Sequence, residues 1–223
     1  MESLLEPVKF IFDFLLHVDA HLKDIIANYG SLTYPILFLI IFCETGLIVT
    51  PYLPGDSLLF AAGAFAGMGL LNIQLLMACI FAAAVLGDAT NFWTARFAHK
   101  KLTAGRFARL IKREHLERTQ EFFQRYGAKT IVLARFVPIV RTFAPFVAGL
   151  GQMNPKRFTT FNIVGAAAWV AIFVLAGFYF GNIPVIQKNF TLLILGIIFV
   201  SVLPLIYEFV RARLGMRGAK ERP

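Results

Sequence analysis

Along most of this chain the apolar positions come in long blocks, and the polar positions that interrupt them fall in a few definite places. The first segment is different. Between Phe10 and Ile26 the apolar residues Phe10, Phe14, Leu15, Val18, Leu22, Ile25 and Ile26 recur at helical spacing, with Asp13, His17, Lys23 and Asp24 among them. That pattern predicts an amphipathic helix lying at a membrane interface, within residues 1–28, rather than a span. Five apolar blocks follow. Ser31–Leu71 is long but broken by Gly46, Pro51, Pro54 and Gly55, whereas Ile73–Arg96 is a single span carrying Asp88 and Asn91. Ala128–Leu150 contains Arg135, Pro138, Arg141 and Pro145, and Phe158–Phe180 and Thr191–Tyr207 are clean. A transmembrane helix needs about 20 apolar residues, with ~17 as the lower limit. Residues 73–96, 158–180 and 191–207 are therefore predicted spans, and the broken blocks 31–71 and 128–150 are predicted re-entrant helical hairpins.

Composition places this pattern in a membrane. Hydrophobic residues make up 58% of the 223 positions and charged residues 16%, against about 45–50% and roughly 25% in soluble domains. A soluble core could not bury blocks of this length. The predicted class is an all-α membrane protein forming a single membrane domain over residues 1–223, with no cleavable leader expected because Met1–Ala27 lacks a basic start. Cys43 and Cys79 lie inside apolar blocks and read as small buried hydrophobes, not as a disulfide framework.

Charge supplies the topology. The net charge of +9 is concentrated between Arg96 and Lys129 and in the tail from Glu208 to Pro223. Basic segments flanking spans belong in the cytoplasm, which also removes the reason to expect nucleic acid as a partner. An even number of crossings must separate the two basic segments, so Ala128–Leu150 enters and leaves from the cytoplasm. Ser31–Leu71 then enters and leaves from outside, where the N-terminal helix also lies. Residues 97–127 are expected to fold as a basic loop or helix on anionic headgroups.

A faint internal repeat accompanies this opposed orientation. Tyr29-Gly30 and Tyr126-Gly127 open the two hairpins, Ala62-Gly63 and Ala148-Gly149 end their cores, and Asn72 and Asn154 precede the next spans. Inverted repeats with Gly- or Pro-broken segments in matching places point to a transporter's central site.

Five ionisable residues fall within the apolar blocks: Glu44, Asp56, Asp88, Arg135 and Arg141. Each would cost roughly 2.5–3.5 kcal/mol at the centre of a lone helix, and five unpaired on the order of 12–17 kcal/mol. They must face one another, water or substrate. Glu44 and Asp56 flank the first break, and Arg135 and Arg141 flank the second. Arginine's planar fork suits phosphate, and broken helices add free backbone N–H groups. A carboxylate in a poorly hydrated pocket can carry a proton near neutral pH. Arg135 and Arg141 are therefore the candidate phosphate-binding residues and Glu44 and Asp56 the candidate proton-coupling residues. Asp88, Asn91, Thr45, Ser57 and Thr142 are secondary pathway positions.

The strings Phe42-Cys43-Glu44-Thr45-Gly46, Leu53-Pro54-Gly55-Asp56-Ser57-Leu58-Leu59 and Ala134-Arg135-Phe136-Val137-Pro138-Ile139-Val140-Arg141-Thr142 closely resemble the DedA family of bacterial inner-membrane proteins, within the VTT (SNARE-associated) superfamily. Gly87-Asp88 and Ala148-Gly149 fit the same pattern, and the likeness covers nearly the whole chain. The resemblance implies two facing re-entrant hairpins and a lipid flippase or scramblase. It further implies recycling of undecaprenyl phosphate or movement of phospholipids, envelope integrity and dependence on the proton-motive force. It assigns the essential acidic and arginine roles to Glu44, Asp56, Arg135 and Arg141.

Two other classes stand beside the transporter. An intramembrane lipid phosphatase or phosphotransferase could use arginines beside carboxylates. Against it, His17, His21, His99 and His115 all lie outside the broken segments, and no Ser or Cys has a base near it in sequence. A proton-coupled ion antiporter would not need paired arginines. No enzyme activity, catalytic residue, cofactor or metal is expected; His17 and His21 read as solvated. The expected partners are a membrane lipid and protons. The pairs Gly63/Gly67 and Gly177/Gly181 permit close helix approach, within the monomer first and in a homo-oligomer second.

Overall fold

Glycine and proline divide the apolar blocks into helices much as their chemistry requires. The computed structural model describes residues 18–47, 55–103, 129–184 and the single positions Gly127 and Gly196. Helix α1 spans Val18–Tyr29 and is followed by a 3-10 turn, Gly30–Leu32, in which Gly30 takes a positive φ of 52°. Helix α2, Thr33–Gly46, ends at the first break: Leu47 turns extended at φ −102° and ψ 124°. Helix α3 is Gly55–Gly67, and the long α4 is Ile73–Thr103. Beyond it stand the short α5, Lys129–Ala134, then α6, Pro138–Leu150, and α7, Pro155–Phe180. Residues 1–17, Pro51 and Pro54, residues 104–126, the block Thr191–Tyr207 apart from Gly196, and the tail lie outside the described residues.

The second break is built by proline. Val137 is extended at φ −117° and ψ 106°, the region a following proline enforces, and Pro138 occupies the first turn of α6. Pro145 lies inside α6 and has no N–H to offer the carbonyl of Arg141, four residues earlier. The two long helices begin alike. The Asn72 side chain accepts from the backbone N–H groups of Gln74 and Leu75 at 3.0 Å each. The Asn154 side chain accepts from Lys156 at 3.0 Å and Arg157 at 3.4 Å.

Packing is close wherever small residues line a contact. Helix α3 is buried from Gly55 to Ala66, as a helix apolar on all sides must be. Its Gly63 lies against the backbone of Val174 and Phe178 in α7, and Gly177 of α7 lies against Phe60 and Ala64 of α3. The two glycine pairs therefore serve contact within the chain. The main core joins Leu22, Leu37, Ile41, Leu59, Leu76, Trp169 and Val174. A second cluster holds Ile131, Ala148, Phe92 and Phe158, the last two stacked with centroids 4.1 Å apart. Leu22 of α1 is in the main core, so this helix packs on the body of the protein and does not only cover an interface.

Among the described residues, three helical stretches are long and apolar enough to cross a membrane: Asp24–Gly46, Ile73–Ala98 and Pro155–Phe180. The sequence pattern divides the first between the interfacial helix and the first arm of a hairpin. It forms one stretch because the 3-10 turn carries helical structure across Gly30. Leu39, Leu75, Leu86, Val164 and Ile172 are exposed, whereas the charged residues of the apolar blocks are inside. Apolar outside and charged within is the arrangement a lipid surround favours.

Candidate functional site: a buried charge cluster

Glu44, Asp56, Asp88, Arg135 and Arg141 are all buried, none more than 7% exposed, and they are the only charged side chains so buried among the described residues. The breaks bring them together. Glu44 stands in the last turn of α2 and Asp56 in the first turn of α3. Gly55, the first residue of α3, has no side chain, and the Glu44 carboxylate occupies the space where a Cβ would project. Asp56 gains from its place at a helix N-terminus, where the backbone dipole favours negative charge.

Arg141, in the first turns of α6, closes the cluster. Its Nη1 donates to Asp56 Oδ1 at 2.7 Å and its Nη2 donates to Glu44 Oε1. One planar guanidinium thus bridges both acids of the first break. Arg135, in the turn after α5, donates through Nη2 to Asp88 Oδ2 and to the Ala84 carbonyl, the latter at 3.2 Å. Its Nη1 donates to the Asn162 carbonyl at 3.2 Å. Both arginines expected to receive phosphate are thus already paired with acids. Three carboxylates face two guanidiniums, leaving one negative charge over when all five are ionised.

The secondary positions hold the frame. Asn91 of α4 donates through Nδ2 to the carbonyls of Thr142 at 2.8 Å and Thr45 at 3.4 Å, so one side chain ties α6 to the end of α2. Thr45 itself donates its hydroxyl to the Ile41 carbonyl at 2.9 Å. Ser57 and Thr142 are buried beside Asp56 and Arg141 in the chain. A Cβ at Gly46 would stand 3.3 Å from the Gly87 backbone, and a side chain at Gly87 would run into the Thr45 hydroxyl. Asp88 is thereby carried by a helix that approaches α2 closely, and it is a direct ion-pair partner of Arg135.

Two members of the cluster carry no mark in the sequence pattern. Trp169 of α7 donates its indole N–H to Asp56 Oδ1 at 2.8 Å, and its ring lies under both arginines, with centroid distances of 4.8 Å to Arg141 and 5.8 Å to Arg135. Asn162 receives Arg135 on its carbonyl and donates its side-chain amide to the Val85 carbonyl at 3.0 Å. The one signal that could have found them is chemical: a Trp or Asn in the middle of a clean apolar block still needs a partner for its N–H.

Residues 53–179 match the VTT domain. The chain is 49% identical to Protein DedA of Escherichia coli (strain K12) over 219 residues, covering 97% of this chain and 100% of that protein. It is 40% identical over 195 residues to an uncharacterized membrane protein of Mycobacterium tuberculosis (strain ATCC 25618 / H37Rv), covering 86% of each. Inner membrane protein YqjA of Escherichia coli (strain K12) is 30% identical over 158 residues, 71% of this chain and 72% of that one. No solved structure matches the chain. With its apolar helices, its buried charges and these matches, the chain is a membrane protein and belongs to the DedA family of VTT-domain proteins.

Proposed function

We propose that this protein is a lipid transporter, a flippase or scramblase that moves an anionic lipid across the bacterial inner membrane with the help of protons. The lipid class we favour is undecaprenyl phosphate, with an anionic phospholipid next. The observation that carries the reading is the Arg141 fork across Glu44 and Asp56, deep among apolar helices. A buried ion pair kept only for stability could be replaced by apolar residues at little or no cost. A guanidinium that must receive a phosphate and then release it has no such substitute.

Exchange of partners is the mechanism we infer. Arg141 turns one Nη group from a carboxylate to the phosphate oxygen, and the carboxylate left behind takes a proton. The cluster then holds its charge as the anion enters, and the reverse steps release phosphate and proton together. Glu44 and Asp56 are the exchanging acids. Arg135, held by Asp88, keeps a second positive charge beside the path.

We further propose that the segments around α2–α3 and α5–α6 are re-entrant hairpins entering from opposite sides, each followed by an Asn-capped long helix. This architecture puts the C-terminus in the cytoplasm. The inner membrane is the location in the name of the relative YqjA. Because the glycine pairs face each other's helices inside the chain, a homo-oligomer would have to use a different surface.

The test is reconstitution in liposomes with a fluorescent polyprenyl phosphate, phosphatidylethanolamine in a parallel sample, and phosphate release followed in both. Faster transbilayer movement of the polyprenyl phosphate without phosphate release supports transport. Release of phosphate would move the reading to a phosphatase, and absence of any lipid movement by folded protein would end it.

A further inference from the structure

Trp169 has no exposed surface, yet it is not simply filling the core. It touches three of the five buried charges. Its N–H donates to Asp56 Oδ1, the same oxygen that receives Arg141 Nη1, and its ring carries both guanidiniums. Through this one indole the Arg141 group and the Arg135–Asp88 pair are joined. A Phe or Leu would still be apolar, though smaller, and would leave Asp56 with one side-chain donor fewer.

We propose that Trp169 is the positioning residue of the anion site, and this rests on the anionic-lipid reading given above. Its ring face holds the Arg141 guanidinium in place while the partners of that guanidinium are exchanged. Its N–H keeps the Asp56 carboxylate in register when Arg141 turns to the phosphate, so that the pair re-forms without a search. The two functions belong to different parts of the side chain. Trp169→Phe keeps the face and loses the N–H, whereas Trp169→Leu loses both.

Transport kinetics separate them. Trp169→Phe is expected to hold the half-saturating lipid concentration within about twofold of wild type, because an aromatic face still carries the cation. Its maximal rate is expected to fall roughly tenfold, the loss matching one hydrogen bond to a charged group. Trp169→Leu is expected to raise the half-saturating concentration about tenfold as well. Residues that only pack would lower the melting temperature and leave both kinetic constants of the folded fraction unchanged, and that result would overturn the proposal.

A binding measurement covers the case in which the variants do not fold. The chain has two tryptophans, and Trp93 is 42% exposed and outside the cluster, so Trp93→Phe leaves Trp169 as the sole indole. Titration of that protein in detergent with farnesyl phosphate should change the indole emission saturably, and farnesol should not. No response to farnesyl phosphate overturns the proposal. A response without lipid movement by wild type would retain Trp169 at an anion site and remove only the transport reading. Lipid movement with unaltered Trp169→Phe kinetics would do the opposite.

Discussion

Arg141 and Asp56 stand 85 residues apart in the chain and meet through Nη1 and Oδ1 at 2.7 Å. That contact joins the first turn of α3 to the beginning of α6, and the second Nη group of the same arginine reaches back to Glu44 at the end of α2. Both interruptions in the apolar helices are therefore closed by one guanidinium. Its removal tests what the cluster contributes to the fold.

Arg141→Ala leaves two buried carboxylates without their shared cation and is expected to destabilise the protein by about 3–5 kcal/mol. Adding Glu44→Gln removes one of the orphaned charges and should restore part of the loss. Thermal melting of the purified single and double variants in detergent checks this. Equal melting temperatures for the two would mean that the acid and the arginine are not energetically coupled.

Glu44→Gln alone brings the cluster to two carboxylates and two guanidiniums. The buried charge then balances without a proton. Lipid movement by this variant should lose its response to an imposed pH gradient while movement without a gradient persists. A gradient response equal to wild type would assign the proton to another group.

Asn91 offers a contrast between shape and charge. Asn91→Leu withdraws the donor from the carbonyls of Thr142 and Thr45 and should cost about 1–3 kcal/mol. Asn91→Asp keeps the size but sets a buried carboxylate against the carbonyls of Thr142 and Thr45, and its loss of stability should exceed that of Asn91→Leu at neutral pH and shrink in acid. Denaturation at two pH values distinguishes them.

The α3–α7 contact is a backbone contact at Gly177, where a side chain would collide with the carbonyl of Phe60. Gly177→Leu should separate the two helices and displace Trp169 from Asp56. Overpacking typically costs ~1–3 kcal/mol, so the expected result is a lowered melting temperature together with lost transport. Gly69→Ala, at a position with open space around it but a positive φ of 80°, should be milder.

What is legible in the sequence, and what is hidden, follows from the range of the interactions involved. The breaks at Gly46, Gly55 and Pro138 are readable because glycine and proline act on their own backbone. The five charges are readable because charge inside an apolar block is costly wherever it points. Their pairing is not. Whether Asp88 faces Arg135 depends on how α4 is rotated against the turn after α5, which only tertiary packing fixes. Trp169 is hidden for a related reason: by hydrophobicity it counts toward a clean span, and its polar end becomes visible only when Asp56 arrives from another helix. The continuation of α4 to Thr103, past the expected end at Arg96, reflects helix propensity that does not stop where an apolar block does.

The most direct measurement is transbilayer movement of fluorescent polyprenyl phosphate in liposomes, with and without a pH gradient. It compares wild type, Arg135→Ala, Arg141→Ala and Glu44→Gln, each checked for folding. An exchanging Arg141 site requires movement by wild type that responds to the gradient, loss of movement in both arginine variants, and gradient-insensitive movement in Glu44→Gln. Wild-type rates from folded Arg141→Ala protein would contradict it.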